Sequence, residues 1–264
     1  VPFLSVESPD NDRIKAVCAL VKDRSERAKQ GKFTVENPVM LKEALACGLE
    51  VKAVFFAERT LNENRPLALL CEQKGAEVIT VGDRVMKKLS ALEMPQGVCA
   101  VVSLSSLPAF SLQKNGRYLV CERLSDPGNL GTIIRTADAM GFSGVVLSRG
   151  SVDYTSPKVV RATMGSLFRV PVAAETDLPS FLATCKGFSI PSLAAVLSDT
   201  SHPLDTVEEA GGVAVLIGNE AAGLTGETVR LCDKTVYIPM TGKAESLNAA
   251  VAASILMWHF RRLS

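Results

Sequence analysis

Short apolar runs alternate with stretches of helical periodicity along most of the chain. Lys32–Val35, Val51–Ala57, Glu77–Val81 and Gly97–Ser103 read as strands. Between them Val39–Cys47, Arg65–Lys74 and Val85–Leu89 carry apolar residues three and four apart and read as helices. The periodicity breaks from Pro108 to Gly116. Beyond the break, Tyr118–Cys121, Ser192–Leu197, Val213–Ile217 and Thr235–Ile238 are apolar enough to be buried strands. A helix runs from an N-cap at Asn129 to about Met140, and a long apolar helix from Leu247 to Arg262 closes the chain. The pattern predicts an α/β protein of two domains: a small α/β domain over residues 1–105, a linker over 106–115, and a second domain over 116–264. In that second domain the alternation of strand and helix indicates a parallel sheet.

Three of the later strands end in polar, glycine-containing loops. Tyr118–Cys121 leads into Asp126-Pro127-Gly128-Asn129-Leu130-Gly131-Thr132-Ile133-Ile134-Arg135, and Val213–Ile217 into Gly218-Asn219-Glu220-Ala221-Ala222-Gly223-Leu224. Thr235–Ile238 leads into Pro239-Met240-Thr241-Gly242-Lys243-Ala244-Glu245-Ser246-Leu247-Asn248. Ligands in parallel α/β sheets bind beyond the carboxyl ends of the strands, and Asn, Ser, Glu and Arg suit a small-molecule site there. The strand ending at Ser198-Asp199 supplies a further wall. Arg135 stands among Ile133, Ile134 and Ala137, where a guanidinium is costly to bury without a function. Asn129 and Arg135 are expected to face one cleft from the first two turns of their helix. Neither loop has the G-x-G-x-x-G spacing of a dinucleotide fold.

In order, spacing and closing helix, these segments resemble the three motifs of the SpoU/TrmH branch of the SPOUT superfamily, S-adenosylmethionine-dependent RNA ribose 2′-O-methyltransferases. Asn129–Thr136 matches the first motif, Ile217–Leu224 the second and Ile238–Asn248 the third, continued through Ser254. The resemblance implies a C-terminal trefoil-knotted SPOUT domain with a parallel sheet, preceded by a small α/β RNA-binding domain. It also implies a homodimer whose sites draw on both subunits. It assigns catalysis to Arg135, with Asn129, Glu220, Ser246 and Asn248 around it. Contacts to S-adenosylmethionine fall to Leu197, Ser198, Gly218, Asn219, Ile238, Met240, Ser246 and Leu247. The family view makes Arg135 the base. A free guanidinium has a pKa above about 12, and lowering it five units costs about 7 kcal/mol. Arg135 is therefore expected to orient and to stabilise a developing alkoxide or a target phosphate. Plainer roles stand beside these: Asn129 and Ser246 as helix caps, and Glu220 as a holder of Arg135.

The first domain resembles the substrate-binding domain of the rRNA-modifying members, related in fold to a ribosomal protein. Phe33-Thr34-Val35-Glu36 and Pro95-Gln96-Gly97-Val98 carry the likeness, with one departure: Asn37 follows Glu36 where Gly is expected. That domain points to 23S-type rRNA as substrate, and tRNA is the alternative. A non-catalytic RNA-binding assembly or resistance factor of the same fold would be expected to have lost Arg135 or Ser246-Leu247-Asn248, and both are present.

Composition narrows the class. With 264 residues, 47% of them hydrophobic, the chain can bury a large core. No apolar run reaches membrane-spanning length, and Val1–Glu7 lacks the blocks of a secretory signal. Seven scattered Cys without C-x-x-C predict reduced thiols in a cytoplasmic setting, an organelle reached through a removed transit peptide being the alternative. Two His make a metal site unexpected. A net charge of +1 does not by itself announce a nucleic-acid partner. Local basic groups do exist: Arg27 and Lys29 in a basic, helix-patterned N-terminal segment, and Lys158 and Arg161, three apart on one helix face. These four are the candidate RNA contacts, with a solvated helix face as the alternative for each pair.

Overall fold

In the computed structural model, which describes residues 3–208 and 211–261, the apolar runs of the first hundred residues form a five-stranded mixed sheet. Its strands are β1 (Leu4–Val6), β2 (Lys32–Glu36), β3 (Val51–Ala57), β4 (Glu77–Val81) and β5 (Val98–Ser103), in the order β1-β4-β3-β5-β2. β4 pairs parallel with β1 and β3, whereas β5 runs antiparallel to β3 and β2. Helices α1 (Asp12–Lys22), α2 (Arg24–Gln30), α3 (Pro38–Ala46), α4 (Glu58–Gln73) and α5 (Asp83–Leu89) cover it. Ile14, Val17 and Leu20 of α1 and Val85, Met86 and Leu89 of α5 bury one face against Phe55, Ile79 and Val101. Each such large side chain removed from water contributes roughly 1.5–3 kcal/mol.

A later segment joins this unit. The chain divides into one unit made of the residues up to Leu107 together with Thr155–Arg169, and a second made of Pro108–Tyr154 with the residues from Val170 onward. Helix α7 (Pro157–Ala162) of the later segment packs on β2. The second unit holds a seven-stranded, wholly parallel sheet built from β6 (Arg117–Cys121), β7 (Gly144–Ser148), β8 (Val172–Thr176), β9 (Ser192–Ala195), β10 (His202–Pro203), β11 (Val213–Ile217) and β12 (Lys234–Tyr237). Their order is β10-β12-β9-β11-β6-β7-β8. Phe181, Leu182 and Cys185 of α8 (Leu178–Gly187) pack on Tyr118, Val120, Val146, Ala214 and Leu216. Helices α6 (Pro127–Ala139) and α10 (Ala249–His259) pack on each other, and α9 (Gly226–Leu231) precedes β12. The Pro108–Gly116 break is tied down by Tyr118, whose hydroxyl accepts from the Gln113 N–H at 2.7 Å and donates to the Ser111 carbonyl at 3.2 Å.

Several local expectations change. The basic N-terminal segment is two helices, because Asp23 is extended (φ −119, ψ 121) and caps both the end of α1 and the start of α2. The N-cap of α6 is Asp126, whose side chain accepts from Asn129 N, with Pro127 in the first turn where its missing N–H costs nothing. Asn129 is therefore inside the helix and free for another partner. The last helix is capped by Asn248, which accepts from Ala250 N and Val251 N, and not by Ser246. The expected end of that helix, Arg262, lies outside the described residues, as do Val1 and Pro2. α4 begins at Glu58, and Pro66 sits within it. Asn37, in the place where Gly was expected, adopts φ 82, ψ 150, a conformation natural only to Gly. Its side chain offsets part of that strain by accepting from Met40 N at 2.8 Å to cap α3.

Among the described residues no helix is long and apolar enough to cross a membrane, and no cluster of His, Cys, Asp and Glu could hold a metal ion. All seven Cys are free thiols. Burial pushes Cys71 up to about 11 and both Cys185 and Cys232 to about 12, so these stay protonated at neutral pH.

Candidate active site

The loop after β11 is closed on itself. Asn219 and Gly223 exchange backbone hydrogen bonds of 3.1 and 2.9 Å, and Gly223 takes φ 66. The Asn219 carboxamide oxygen accepts from the N–H groups of Ala221 and Ala222 at 3.0 and 3.1 Å. A Cβ on Gly218 would stand 1.9 Å from the Gly223 carbonyl carbon, so only glycine permits this crossing of the backbone.

That closed loop presents Glu220 to the loop after β6. One carboxylate oxygen, Oε2, accepts from Ser125 N at 3.1 Å, Ser125 Oγ at 2.8 Å and Asn219 Nδ2 at 3.3 Å. The other, Oε1, accepts from Asp126 N and Asn129 Nδ2, each at 3.0 Å. Partial burial pushes the carboxyl up, but the hydrogen bonds from Asn129, Asp126, its own backbone and Ser125 outweigh it and hold Glu220 at about 2. Because Asn129 donates to Glu220, its oxygen is left to accept from Asn248 Nδ2, at 3.0 Å. Asn248 in turn caps α10. One chain of hydrogen bonds thus runs from the β6 loop through Glu220, Asn129 and Asn248 to the start of the closing helix. Asn219 extends it by donating to the Arg123 carbonyl at 2.9 Å.

Beside this clasp, the ends of β9 and β12 and the segment before α10 enclose a cleft of about 200 Å³. Leu197, Ile238, Met240, Ser246 and Leu247, five of the expected cofactor contacts, line it. Glu245, Tyr237 and Val196 line it as well and were not foreseen, although each adjoins a residue that was. Leu197 and Met240 remain exposed. Broad apolar walls beside a carboxylate and a hydroxyl suit a ligand with a flat heteroaromatic part and a cationic, polar part, which fits S-adenosylmethionine. Ser198, Gly218 and Asn219 do not line the cleft. Ser198 Oγ is within 2.8 Å of Ser201 Oγ and 3.2 Å of Thr200 Oγ1.

Arg135 is placed differently from the expectation. Ile133, Ile134 and Ala137 are fully buried, but Arg135 is on the exposed face of α6 and makes no ion pair or hydrogen bond among the described residues. Six residues advance an α-helix by about 600°, leaving Asn129 and Arg135 roughly 120° apart around the axis. Asn129 reaches Glu220 and Arg135 does not, so Glu220 is no partner of Arg135 within one chain. The same exposed face continues into an apolar groove of about 410 Å³ lined by Thr132, Thr136, Met140, Val251, Ser254 and Trp258, among others.

The basic candidates separate. Arg27 is buried, 4% exposed, and its Nη1 donates to the Leu20 carbonyl at 2.6 Å. It satisfies the open end of α1 and is not available to RNA. Lys29 is exposed, 3.6 Å from Glu26. Lys158 is exposed on α7. Arg161 is half-buried, with Nη1 4.0 Å from the buried Glu36 carboxylate, so part of its guanidinium is turned inward.

Known RNA methyltransferases resemble this chain along nearly its whole length. The profile of the SpoU rRNA Methylase family matches residues 116–258, and that of the MRM3-like substrate binding domain matches residues 11–100. The 23S rRNA (guanosine(2553)-2′-O)-methyltransferase RlmP of Bacillus subtilis (strain 168) is 32% identical over 256 residues, covering 97% of this chain and 98% of its own length. The 23S rRNA (uridine(2479)-2′-O)-methyltransferase of Streptomyces viridochromogenes is 30% identical, covering 94% of this chain and 88% of its own. The AdoMet-bound rRNA methyltransferase from Sinorhizobium meliloti superposes with a TM-score of 0.82 at 30% identity, covering 97% of this chain and 96% of that one.

Proposed function

The chain belongs to the SpoU rRNA methylase family, and from that premise we propose that it methylates a ribose 2′-hydroxyl of large-subunit rRNA, with S-adenosylmethionine as donor. The observation that carries the reading is the junction of two features at one end of the parallel sheet. A cleft with apolar walls lies at the ends of β9 and β12, and the hydrogen-bonded clasp of Glu220, Asn129 and Asn248 lies beside it at the ends of β11 and β6. The first unit, matched by the substrate-binding profile over residues 11–100, is the part we assign to RNA recognition, with the exposed Lys29 and Lys158 among its contacts.

When bound, S-adenosylmethionine supplies an electrophilic methyl on a sulfonium, a good leaving group. The protein has to bring the 2′-oxygen into line with that methyl, and alignment of this kind is worth up to about 7–11 kcal/mol. Leu197, Ile238, Met240 and Leu247 hold the cofactor from the apolar side, and Ser246 offers a hydroxyl at the cleft's rim. Gly218 and Asn219 shape the neighbouring loop. Glu220, with its carboxyl at about 2, is a weak proton acceptor and acts by fixing Asn129. Asn129 and Asn248 then present oriented amides to the ribose. Arg135 stabilises the developing alkoxide or an adjoining phosphate, and the hydroxyl proton passes to water at the open cleft.

Since Arg135 lies outside the clasp of its own chain, the complete site requires a second copy. We propose a homodimer formed through the exposed faces of α6 and α10, where Val251 and Trp258 stand in solvent beside Thr132 and Thr136. Arg135 of one subunit then serves the clasp of its partner. The knot implied by the family would be made by the chain around β11 and β12, and the reaction is assigned to the cytoplasm. The deciding experiment is transfer of labelled methyl to total rRNA and tRNA, followed by mapping of ribose methylation. One new 2′-O-methyl site in large-subunit rRNA is the expected result, and a tRNA product would reassign the first unit.

A further inference from the structure

The far half of the same parallel sheet carries a second cleft. The ends of β6, β7 and β8 and the start of α9 enclose about 330 Å³, lined by Arg123, Arg149, Ser148, Thr176, Asp177 and Thr225, among others. Both arginines are exposed, and neither guanidinium makes an ion pair or hydrogen bond among the described residues. Ligands in this class of sheet bind at strand carboxyl ends, and this one is separate from the cleft at β9 and β12.

The backbone of Arg123 marks it out. It has φ 51, in the left-handed region where a side chain costs roughly 1–2 kcal/mol. The conformation is held from both sides. Its N–H donates to Ser148 Oγ at 2.8 Å, and its carbonyl accepts from Asn219 Nδ2 at 2.9 Å. A glycine would sit here without strain, so what the long cationic side chain supplies is not backbone geometry. Strain held in place by its surroundings is a feature of ligand-binding positions.

Two of the three acids of this cleft are tied into hydrogen bonds that cap helices. Glu122 is buried and accepts from Thr225 N, Thr225 Oγ1 and Thr228 Oγ1 at 2.7–2.8 Å, which ties the start of α9 to β6. Asp177 accepts from the N–H and hydroxyl of Ser180 as the cap of α8, and Arg149 is near enough to feel its charge. Glu227, in the first turn of α9, is the remaining lining acid and leaves the arginine wall as the side that favours an anion.

We propose that this cleft takes a phosphate of the RNA backbone between Arg123 and Arg149, gripping the substrate strand as it leaves the reacting nucleotide. The proposal rests on RNA being the substrate. Asn219 links the two places directly, since the same residue shapes the Glu220 loop and holds the Arg123 carbonyl. Guanidinium and phosphate match in both charge and hydrogen-bond geometry.

The test uses the full chain, with Arg123→Gly, Arg149→Gln and the double variant, and a large-subunit rRNA fragment as probe. RNA binding is followed by fluorescence anisotropy across a salt series, and methyl transfer is scored on the same RNA. Each single variant is expected to weaken binding about five-fold or more and to lower the log–log salt slope by roughly 0.7–0.9. Affinity for S-adenosylmethionine should be unchanged. Arg123→Gly should also raise the melting temperature, a combination that a merely structural arginine would not give. An unchanged slope and affinity in the double variant, with normal methyl transfer by the wild type, overturns the cleft and keeps the proposed reaction. Absence of transfer by the wild type rejects the reaction instead, and the salt slopes still decide whether the arginines bind phosphate.

Discussion

Glu220→Gln separates the charge of the clasp from its shape. The substitution keeps the volume and one acceptor oxygen, but it removes the anion that Ser125, Asp126, Asn129 and Asn219 surround with five donors. The carboxyl stands at about 2 in the folded chain against 4.5 for the free group. That difference corresponds to roughly 3 kcal/mol. Glu220 is on the surface, so solvent screening reduces the figure to roughly 1–2 kcal/mol. The sign follows from linkage: with the folded pKa below the unfolded one, the stabilisation is complete above about pH 4.5 and is lost as the pH falls through 2. Denaturant unfolding of wild type and variant from pH 7 to pH 3 measures it. At pH 7 the variant should be less stable by about 1–2 kcal/mol, and the gap should close as the pH drops below 4.5. A gap that is absent at pH 7, or constant across the series, would refute the account of Glu220 as an ionised clasp.

Four further outcomes are expected. Arg135→Ala should abolish methyl transfer while leaving S-adenosylmethionine affinity nearly unchanged by calorimetry; strong loss of cofactor binding would contradict its role toward the ribose. Arg27→Ala, which strips the donor from the Leu20 carbonyl inside the first unit, should cost about 2 kcal/mol or more of unfolding free energy, and a change below 0.5 kcal/mol, roughly the scale of ordinary surface substitutions, would show that Arg27 is not structural. Asn37→Gly should stabilise the chain by about 1 kcal/mol, since relief of the positive φ outweighs a cap that Gly replaces at a cost of a few tenths; a lower melting temperature would mean that the cap dominates. Trp258→Ser together with Val251→Ser should shift the protein from dimer to monomer in sedimentation and lose methyl transfer with it, and an active monomer would remove the need for a second copy.

Eight of the strands were legible because continuous Val, Leu and Ala runs leave a parallel sheet few alternatives, as at Val213–Ile217 and Tyr118–Cys121, whereas β1, β7, β8 and β10 were not singled out. Asn37 was legible as well: the glycine expected there corresponds to a real left-handed residue. Helix starts were less so. Asp126-Pro127 is itself a cap-and-first-turn signal, but Asn129 drew the reading three residues too far. The pairing of Ser125 with Glu220 left no local trace, because the partners are ninety-five residues apart in sequence. Arg27 misled for a different reason. Its neighbours are basic and exposed, and only the break at Asp23 turns that one guanidinium back onto the end of α1. Arg135 shows the limit of reading neighbours along the chain, since Ile133, Ile134 and Ala137 face the sheet from the opposite side of the helix.

The placement of α7 has a consequence for synthesis on the ribosome. The first unit takes in Thr155–Arg169, and the packing of α7 on β2, with Arg161 approaching Glu36, is absent until that segment has been made. Synthesis must run 62 residues past Leu107 to complete the segment at Arg169. At about 5–20 residues per second this is a delay of roughly 3–12 seconds, during which β2 is packed by α1, α2 and α3 but not by α7. The usual rule that an N-terminal domain finishes folding before its neighbour is begun does not hold for this chain. A gene fragment ending at Leu107 would encode the same unfinished intermediate permanently, whereas co-expression with a peptide spanning Thr155–Arg169 would supply the missing piece.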